Sequence, residues 1–192
     1  MRLPIALSLV MLLSGCAFSV YDVNVDYKYD NPIETDLSSI ALDVGEFKDS
    51  RNVDNPRMIM NQKNGYGQTT TGGWQAEKPL IDIVKDAVID GLKKSGVTLN
   101  ENSQNMVLSA ELLEFDGDIK MGAWVGSYVG KMSVKMQLVD KQSGEIIWRD
   151  TFVGSGEAKG NEGVASVLKI SLDNLVDNLL NDKYFIQKVS GK

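Results

Sequence analysis

The chain has no histidine and a single cysteine in its 192 residues. The first absence excludes Ser-His-Asp and Cys-His nucleophilic chemistry and removes the commonest metal ligand. The second excludes an internal disulfide, so a hydrophobic core must hold the fold unaided, which is ordinary at this length. Basic residues are in deficit: 20 Lys+Arg against 26 Asp+Glu give a net charge of −6 at pH 7. An acidic chain without a basic stripe excludes nucleic acid from the expected partners. The patterns G-x-x-x-x-G-K-[ST], G-x-S-x-G and H-E-x-x-H do not occur. No spacing points to paired catalytic carboxylates. The expectation is a non-enzymatic protein with no catalytic residue, no cofactor and no metal.

What is present begins at the N-terminus. Arg2 is followed by the apolar run Leu3–Leu13, about 11 residues, where a membrane-spanning helix needs ~20. A run this short with a small-residue exit reads as a secretory signal. Leu12-Leu13-Ser14-Gly15-Cys16 resembles a lipobox, the processing site of bacterial lipoproteins. Residues 1–15 are then removed, and the Cys16 thiol carries a diacylglyceryl thioether as the new N-terminus. Two or three acyl chains hold a protein stably on a bilayer at ~0.8 kcal/mol per buried CH₂. Cys16 is the expected lipidation site and the membrane the first expected partner. Ala17 follows in place of the Asp that retains enteric lipoproteins in the inner membrane. Under that sorting rule the location is the outer membrane, facing the periplasm.

Residues 16–36 alternate weakly and read either as a lipidated tether or as an edge strand; Asn31-Pro32 closes them. Residues 37–192 read as one domain. Leu37–Phe47 is a strand with Ile40, Leu42 and Val44 on one face. The segment 48–78 is rich in Asn, Gly, Thr and Gln. It reads as a long hairpin or flap, or as a disordered insertion. Pro79–Gly96 is an amphipathic helix opened by proline and closed by Gly96. Met106–Phe115 is a nearly continuous apolar strand, turned by Asp116-Gly117-Asp118. Tyr128, Met132, Val134, Met136 and Leu138 then alternate with Lys131, Ser133, Lys135 and Gln137. A turn at Lys141–Gly144 returns the chain through Ile146, Trp148 and Phe152, making an unusually long hairpin. Asn161 caps a last helix with a Val164–Leu179 stripe, and Tyr184–Ile186 adds a short strand. The fold class is α+β: a three- to four-stranded, mainly antiparallel sheet with two helices on one face, in the order β-α-β-β-β-α.

Several pieces occur in order behind the lipobox: a strand ending Asp49-Ser50-Arg51, a glycine-containing flap, and a helix ending Gly91-Leu92-Lys93-Lys94-Ser95-Gly96. A strand, the long hairpin through Gly144 and Trp148, and an amphipathic helix follow. Together they resemble the YajG-like family of bacterial lipoproteins over most of the mature chain. The resemblance implies a location and a fold rather than an activity. An envelope protein partner is expected, with the domain acting as a binding or scaffold module; the alternative is a lipid- or glycan-binding accessory protein.

The candidate partner contacts are Asp49 and Arg51 at a strand end, Met58, Tyr66 and Trp74 in the flap, and Trp124 in a glycine-flanked loop. For Asp49 and Arg51 the competing reading is a local ion pair, and for Trp124 a core plug. Asp116 and Asp118 lack the further oxygens that a calcium loop requires. Gly122, Gly126 and Gly130 read as a chance spacing, a bulge or a twist at the head of a strand.

Overall fold

The computed structural model describes residues 19–64, 66–100, 106–120 and 126–191. Strands and helices follow the order β1 (Val20–Val23), β2 (Ala41–Asp49), β3 (Met58–Lys63), β4 (Thr69–Ala76), α1 (Leu80–Lys94) and β5 (Thr98–Leu99). The chain continues through β6 (Met106–Lys120), β7 (Ser127–Asp140), β8 (Ile146–Lys159), α2 (Val164–Leu180) and α3 (Lys183–Val189). One sheet has five strands in the order β5-β2-β6-β7-β8; a smaller one has the order β1-β4-β3.

The centre is the antiparallel trio β6-β7-β8. The clean alternation of β7 puts Met132, Val134, Met136 and Leu138 inside, as the period of two requires. Leu108, Ala110 and Leu112 of β6 stand opposite Leu138, Met136 and Val134, while Trp148 and Phe152 of β8 stand opposite Leu138 and Val134. The β7–β8 turn is closed by Asp140, whose carboxylate accepts from Ser143 N–H at 2.7 Å and Gln142 N–H at 3.0 Å. These donors hold it below the usual carboxylate range. A register shift between Leu138 and Val139 sets Ile146 out of phase with Trp148. Ile146 is therefore 46% exposed and does not join the inward face that alternation assigns to it.

Both larger helices cover this same face. α1 starts after Pro79 and ends at Ser95, and Gly96 at φ +92 turns the chain away. The Val97 N–H returns to Leu92 O at 3.0 Å, closing the last turn. α2 begins after Gly163 (φ 80), not Asn161, and no side chain caps it. It lies unusually close to the sheet because three residues beneath it have no side chain. A Cβ on Gly154 would stand 2.0 Å from the Ser171 carbonyl oxygen, and one on Gly156 2.4 Å from that of Val167. One on Gly130 would stand 2.5 Å from Val167 Cγ1. Gly130 thus has a definite role, as a seat for the helix. The helices meet at Gly91, where a Cβ would stand 2.3 Å from Val176 Cγ1.

Several expectations are corrected. The described residues hold eight strands in two sheets and three helices, in place of three or four strands and two helices. The five-stranded sheet is mixed, because β2 runs parallel to both β5 and β6. β1 and β5 have four and two residues, too few to carry a periodicity. β3 is apolar only in its first half and β4 is rich in Thr and Gly; the two pair as a hairpin, and the order that their composition does not supply comes from β1 along β4 and β6 beneath β3. Asp116-Gly117-Asp118 does not turn the chain; β6 runs on to Lys120, with Gly117 beneath β3. The tail 183–189 is helical, since Asp182 accepts from the Phe185 N–H at 2.5 Å and makes an N-cap.

The segment from Ser19 to about Asp36 is ordered. β1 pairs in parallel with β4 at the edge of the small sheet. The chain then lies over the two helices as an extended strap, with Val25 and Tyr29 buried.

Candidate functional site

Three regions gather the polar and aromatic groups. The first is the end of the domain where strands β1, β4, β6 and β7 meet. β1 is held from its first residue: Val20 pairs with Gly73, and the Gly73 N–H donates to Ser19 O at 3.0 Å. Tyr21, Trp74 and Tyr128 form an aromatic row, with centroids 6.4 and 6.0 Å apart. Tyr21 is 47% exposed at one end of the row. Beyond it projects the β3–β4 turn. Asn64 Oδ1 accepts from the N–H groups of Tyr66 and Gln68, each at 3.0 Å, and Gly67 takes φ 76. This turn leaves Tyr66 92% exposed at the tip. Lys63 ties the hairpin to β6 through Asp118 at 2.8 Å. The Lys63 ammonium, helped by the Ile119 N–H, holds the Asp118 carboxyl below its ordinary value.

The second region is the root of the same hairpin. Arg51 donates from Nη2 to Asp49 Oδ2 at 2.6 Å and from Nε to Asp49 Oδ1 at 2.9 Å. It also donates to Pro56 O at 2.8 Å and to Met58 O at 3.4 Å. Its side chain is only 4% exposed. The planar guanidinium is fully engaged in fastening residues 49–58. Asp49 and Arg51 therefore have the local role that sequence left as the alternative, and Met58 is half-buried beside them.

The third region is the strap across the helices. Tyr27 donates its hydroxyl to Asp173 at 2.8 Å, and Tyr29 donates to Asp177 at 2.6 Å. Asn31 Nδ2 donates to the second Asp177 oxygen at 2.9 Å. The Val25 and Tyr29 N–H groups donate to Glu77 at 2.9 Å and to Asp90 at 2.8 Å. Burial, and then the carboxylate partner, pushes both tyrosine hydroxyls well above their usual range. Burial also raises the Asp173 carboxyl; the Tyr27 hydrogen bond opposes this and nearby Asp177 adds to it. Asp173 and Asp177 are four apart on one face of α2, the spacing that places two side chains side by side. Their oxygens are taken up by strap donors, so the pair acts as a fastener.

Among the described residues no helix or strand covers the sheet face away from the helices. Glu46, Lys48, Ser109, Glu111, Lys135 and Gln137 line a shallow depression of about 130 Å³ there. Small-molecule pockets run to roughly 300–1,000 Å³. Lys135 and Glu111 pair at 2.9 Å across the strands. Among the described residues no group of three or more Asp, Glu, His or Cys is placed to hold a metal ion.

Of the residues singled out in sequence, Asp49, Arg51 and Met58 gather at the hairpin root, Trp74 lies midway and Tyr66 marks the tip. Cys16 and Trp124 lie outside the described residues. Sequence reasoning missed Tyr21, Tyr27, Tyr29, Tyr128, Asp173 and Asp177. The Tyr27-x-Tyr29 alternation and the Asp173/Asp177 spacing were visible, but nothing local says that they meet.

No protein-family model matches the chain, and no curated protein sequence matches it significantly. Solved structures do. A Xanthomonas campestris protein assigned to the family DUF330 superposes with a TM-score of 0.62 at 19% identity, covering 91% of this chain and 99% of that one. A minor lipoprotein from Acinetobacter baumannii superposes at 0.40 with 12% identity, covering 76% and 93%. The PelC dodecamer from Paraburkholderia phytofirmans gives 0.38 with 15% identity, covering 76% and 92%. The first likeness shows a shared fold. Among the described residues no helix is long and apolar enough to cross a membrane.

Proposed function

We propose that this chain is a bacterial envelope lipoprotein of the YajG-like kind. Cys16 anchors it to the outer membrane, facing the periplasm, and it acts as a non-enzymatic binding module for an envelope protein. The observation that carries this reading is an acylation motif set directly before a domain whose main sheet is covered on one face only. The uncovered face presents Lys48, Lys135 and Gln137 beside Glu46 and Glu111. Its depression of about 130 Å³ is small beside the roughly 300–1,000 Å³ of small-molecule pockets, so the face suits a flat protein contact better than a small ligand. The hairpin-root residues Asp49 and Arg51 are occupied in fastening the fold and leave that role to the open face.

The alternative, a lipid binder with an apolar groove between the helices and the hairpin, has less support. The strap already runs over the helices there, burying Val25 and Tyr29.

A photo-crosslinking residue at position 135 in the acylated protein should capture an envelope protein in cells, and one at exposed Gln142 should not. Capture at 142 with none at 135 overturns the assignment to the open face. Cys16→Ala should release the protein from the membrane fraction; its retention there would overturn the anchoring.

A further inference from the structure

The N-terminal end of β1 points in the direction of the hairpin tip. Cys16 precedes the locked residue Val20 by four positions. Even fully extended, that link spans only about 14 Å, at up to ~3.6 Å per residue. β1 runs parallel to β4, so its N-terminal end points towards Thr69 and the turn that carries Tyr66. Val20 pairs with Gly73, four positions beyond Thr69. At ~3.3 Å per residue the strand from Gly73 back to Thr69 covers about 13 Å. The turn 64–68 lies further still. The tip therefore reaches as far as the anchor can, or farther.

The thioether-linked glycerol of an acylated Cys16 sits at the boundary between headgroups and hydrocarbon. The layer above that boundary is only about 5–7 Å deep. With β4 upright on the membrane, a tip that matches or outreaches the anchor enters this layer. Its apex residue suits the place. A tyrosine has an apolar ring and a polar end, the composition enriched at membrane interfaces. The apex is also braced: Asn64 Oδ1 accepts from the Tyr66 and Gln68 N–H groups, and Lys63 with Asp118 ties down its stem.

We propose that the β3–β4 turn, with Tyr66 at its apex, is a membrane-contact site that seats in the headgroup layer of the bilayer carrying Cys16. This rests on the anchoring reading above. The seat fixes the domain at a second point, so the long axis of β4 stands away from the membrane and the open sheet face stays free for a partner.

Cys16 is the only cysteine and is blocked when acylated, so Tyr66→Cys gives a unique thiol for a nitroxide label. Gln142→Cys, in the exposed turn at the other end of the β7–β8 hairpin, is the comparison position. The acylated full-length variants are reconstituted in phosphatidylethanolamine–phosphatidylglycerol vesicles. Flotation measures anchoring, and relaxation by oxygen against a water-soluble nickel chelate measures depth. The label at 66 should float with the vesicles and show several-fold less nickel access than the label at 142. Flotation with equal nickel access at both positions overturns the membrane seat and leaves anchoring intact. Failure to float overturns both. A label large enough to disturb the turn is controlled by Tyr66→Asp, which should leave flotation and unfolding unchanged. In that variant a label on Gln68→Cys should move towards the aqueous value; a label unmoved from its depth in the Tyr66 protein overturns the role of the ring.

Discussion

The two sides of α2 are held by opposite means. Its inner side rests on glycines: Gly154 and Gly156 allow backbone to approach backbone, and Gly130 leaves room for the Val167 side chain. Its outer side is held by a polar clasp, in which Asp173 and Asp177 accept hydroxyls from a strap more than 140 positions earlier. The inner contact depends on the absence of atoms, and no rotamer change can accommodate one added beside a carbonyl. The outer contact depends on hydrogen bonds that can be exchanged, weakened or titrated. One side of a single helix is therefore brittle, while the other tolerates loss and responds to pH.

The largest expected effect breaks the inner side. Gly154→Ala places a methyl group against the Ser171 carbonyl and should cost about 3 kcal/mol or more, at or above the usual range for overpacking. Gly130→Ala meets side chains and no backbone, Val167 Cγ1 first and then Phe115 and Ser171, and should cost less. Urea unfolding of the two variants ranks them; equal losses would mean that the helix is free to lift and the seat is not brittle. Next is the clasp itself. Tyr29→Phe removes one donor from Asp177 but leaves Asn31, and should cost about 1–2 kcal/mol. The cost should be measurable by the same unfolding and accompanied by faster amide exchange in residues 24–33.

The third prediction concerns pH. Burial raises Asp173, so the folded state keeps its proton to a higher pH than the unfolded chain does. The stability tied to that proton is fully present below the ordinary carboxylate value, ~3.9, and is lost as pH rises through the raised one. Asp173 faces Tyr27, Asp177, Asp30 and Lys169. Asp173→Asn keeps an acceptor for Tyr27 and should flatten this fall, as a series of urea midpoints upward from pH 4 would show. A variant with the same slope as the parent would assign the pH response to another group.

The smallest effect is at the edge of the main sheet. β8 is a long edge strand, of the kind that recruits other chains. Asn174 and Asn178 of α2 reach over it to Ser155 O and Val153 O, each at 2.9 Å. Changing both to alanine should alter stability by less than about 1 kcal/mol at these exposed positions. It should raise self-association in sedimentation at high concentration; an unchanged sedimentation profile would show that the asparagines do not guard the edge.

What could be read from sequence was local. The β7–β8 hairpin was legible because Tyr128–Leu138 alternates without interruption and its turn is short. α1 and α2 were legible from apolar stripes at three- and four-residue steps. The small sheet was not. Its strands are short or polar, and β1 joins β4 across some fifty intervening residues. The glycines were visible, but their meaning was not, since Gly130 has a role only when Val167 lies above it. The candidate contacts divided for the same reason. Arg51 and Asp49 are near in sequence and pair, whereas Trp74 finds Tyr21 and Tyr128 only through the sheet.

Read along its length, the amino-acid sequence rules out His-based chemistry and an internal disulfide. It also determined that Leu12–Cys16 resembles a lipobox, and which long segments are helix or strand, because periodicity and motif are properties of neighbouring residues. Packing in three dimensions was needed to set β2 parallel to its partners, to seat α2 on glycines and to clasp carboxylates with tyrosines across the helices. It alone set the turn at Tyr66 beyond the end of β4 towards which the N-terminal end of β1 points. These are contacts between residues far apart in the chain. No local pattern encodes them, and they follow from the one packing that buries both faces of α2 at once.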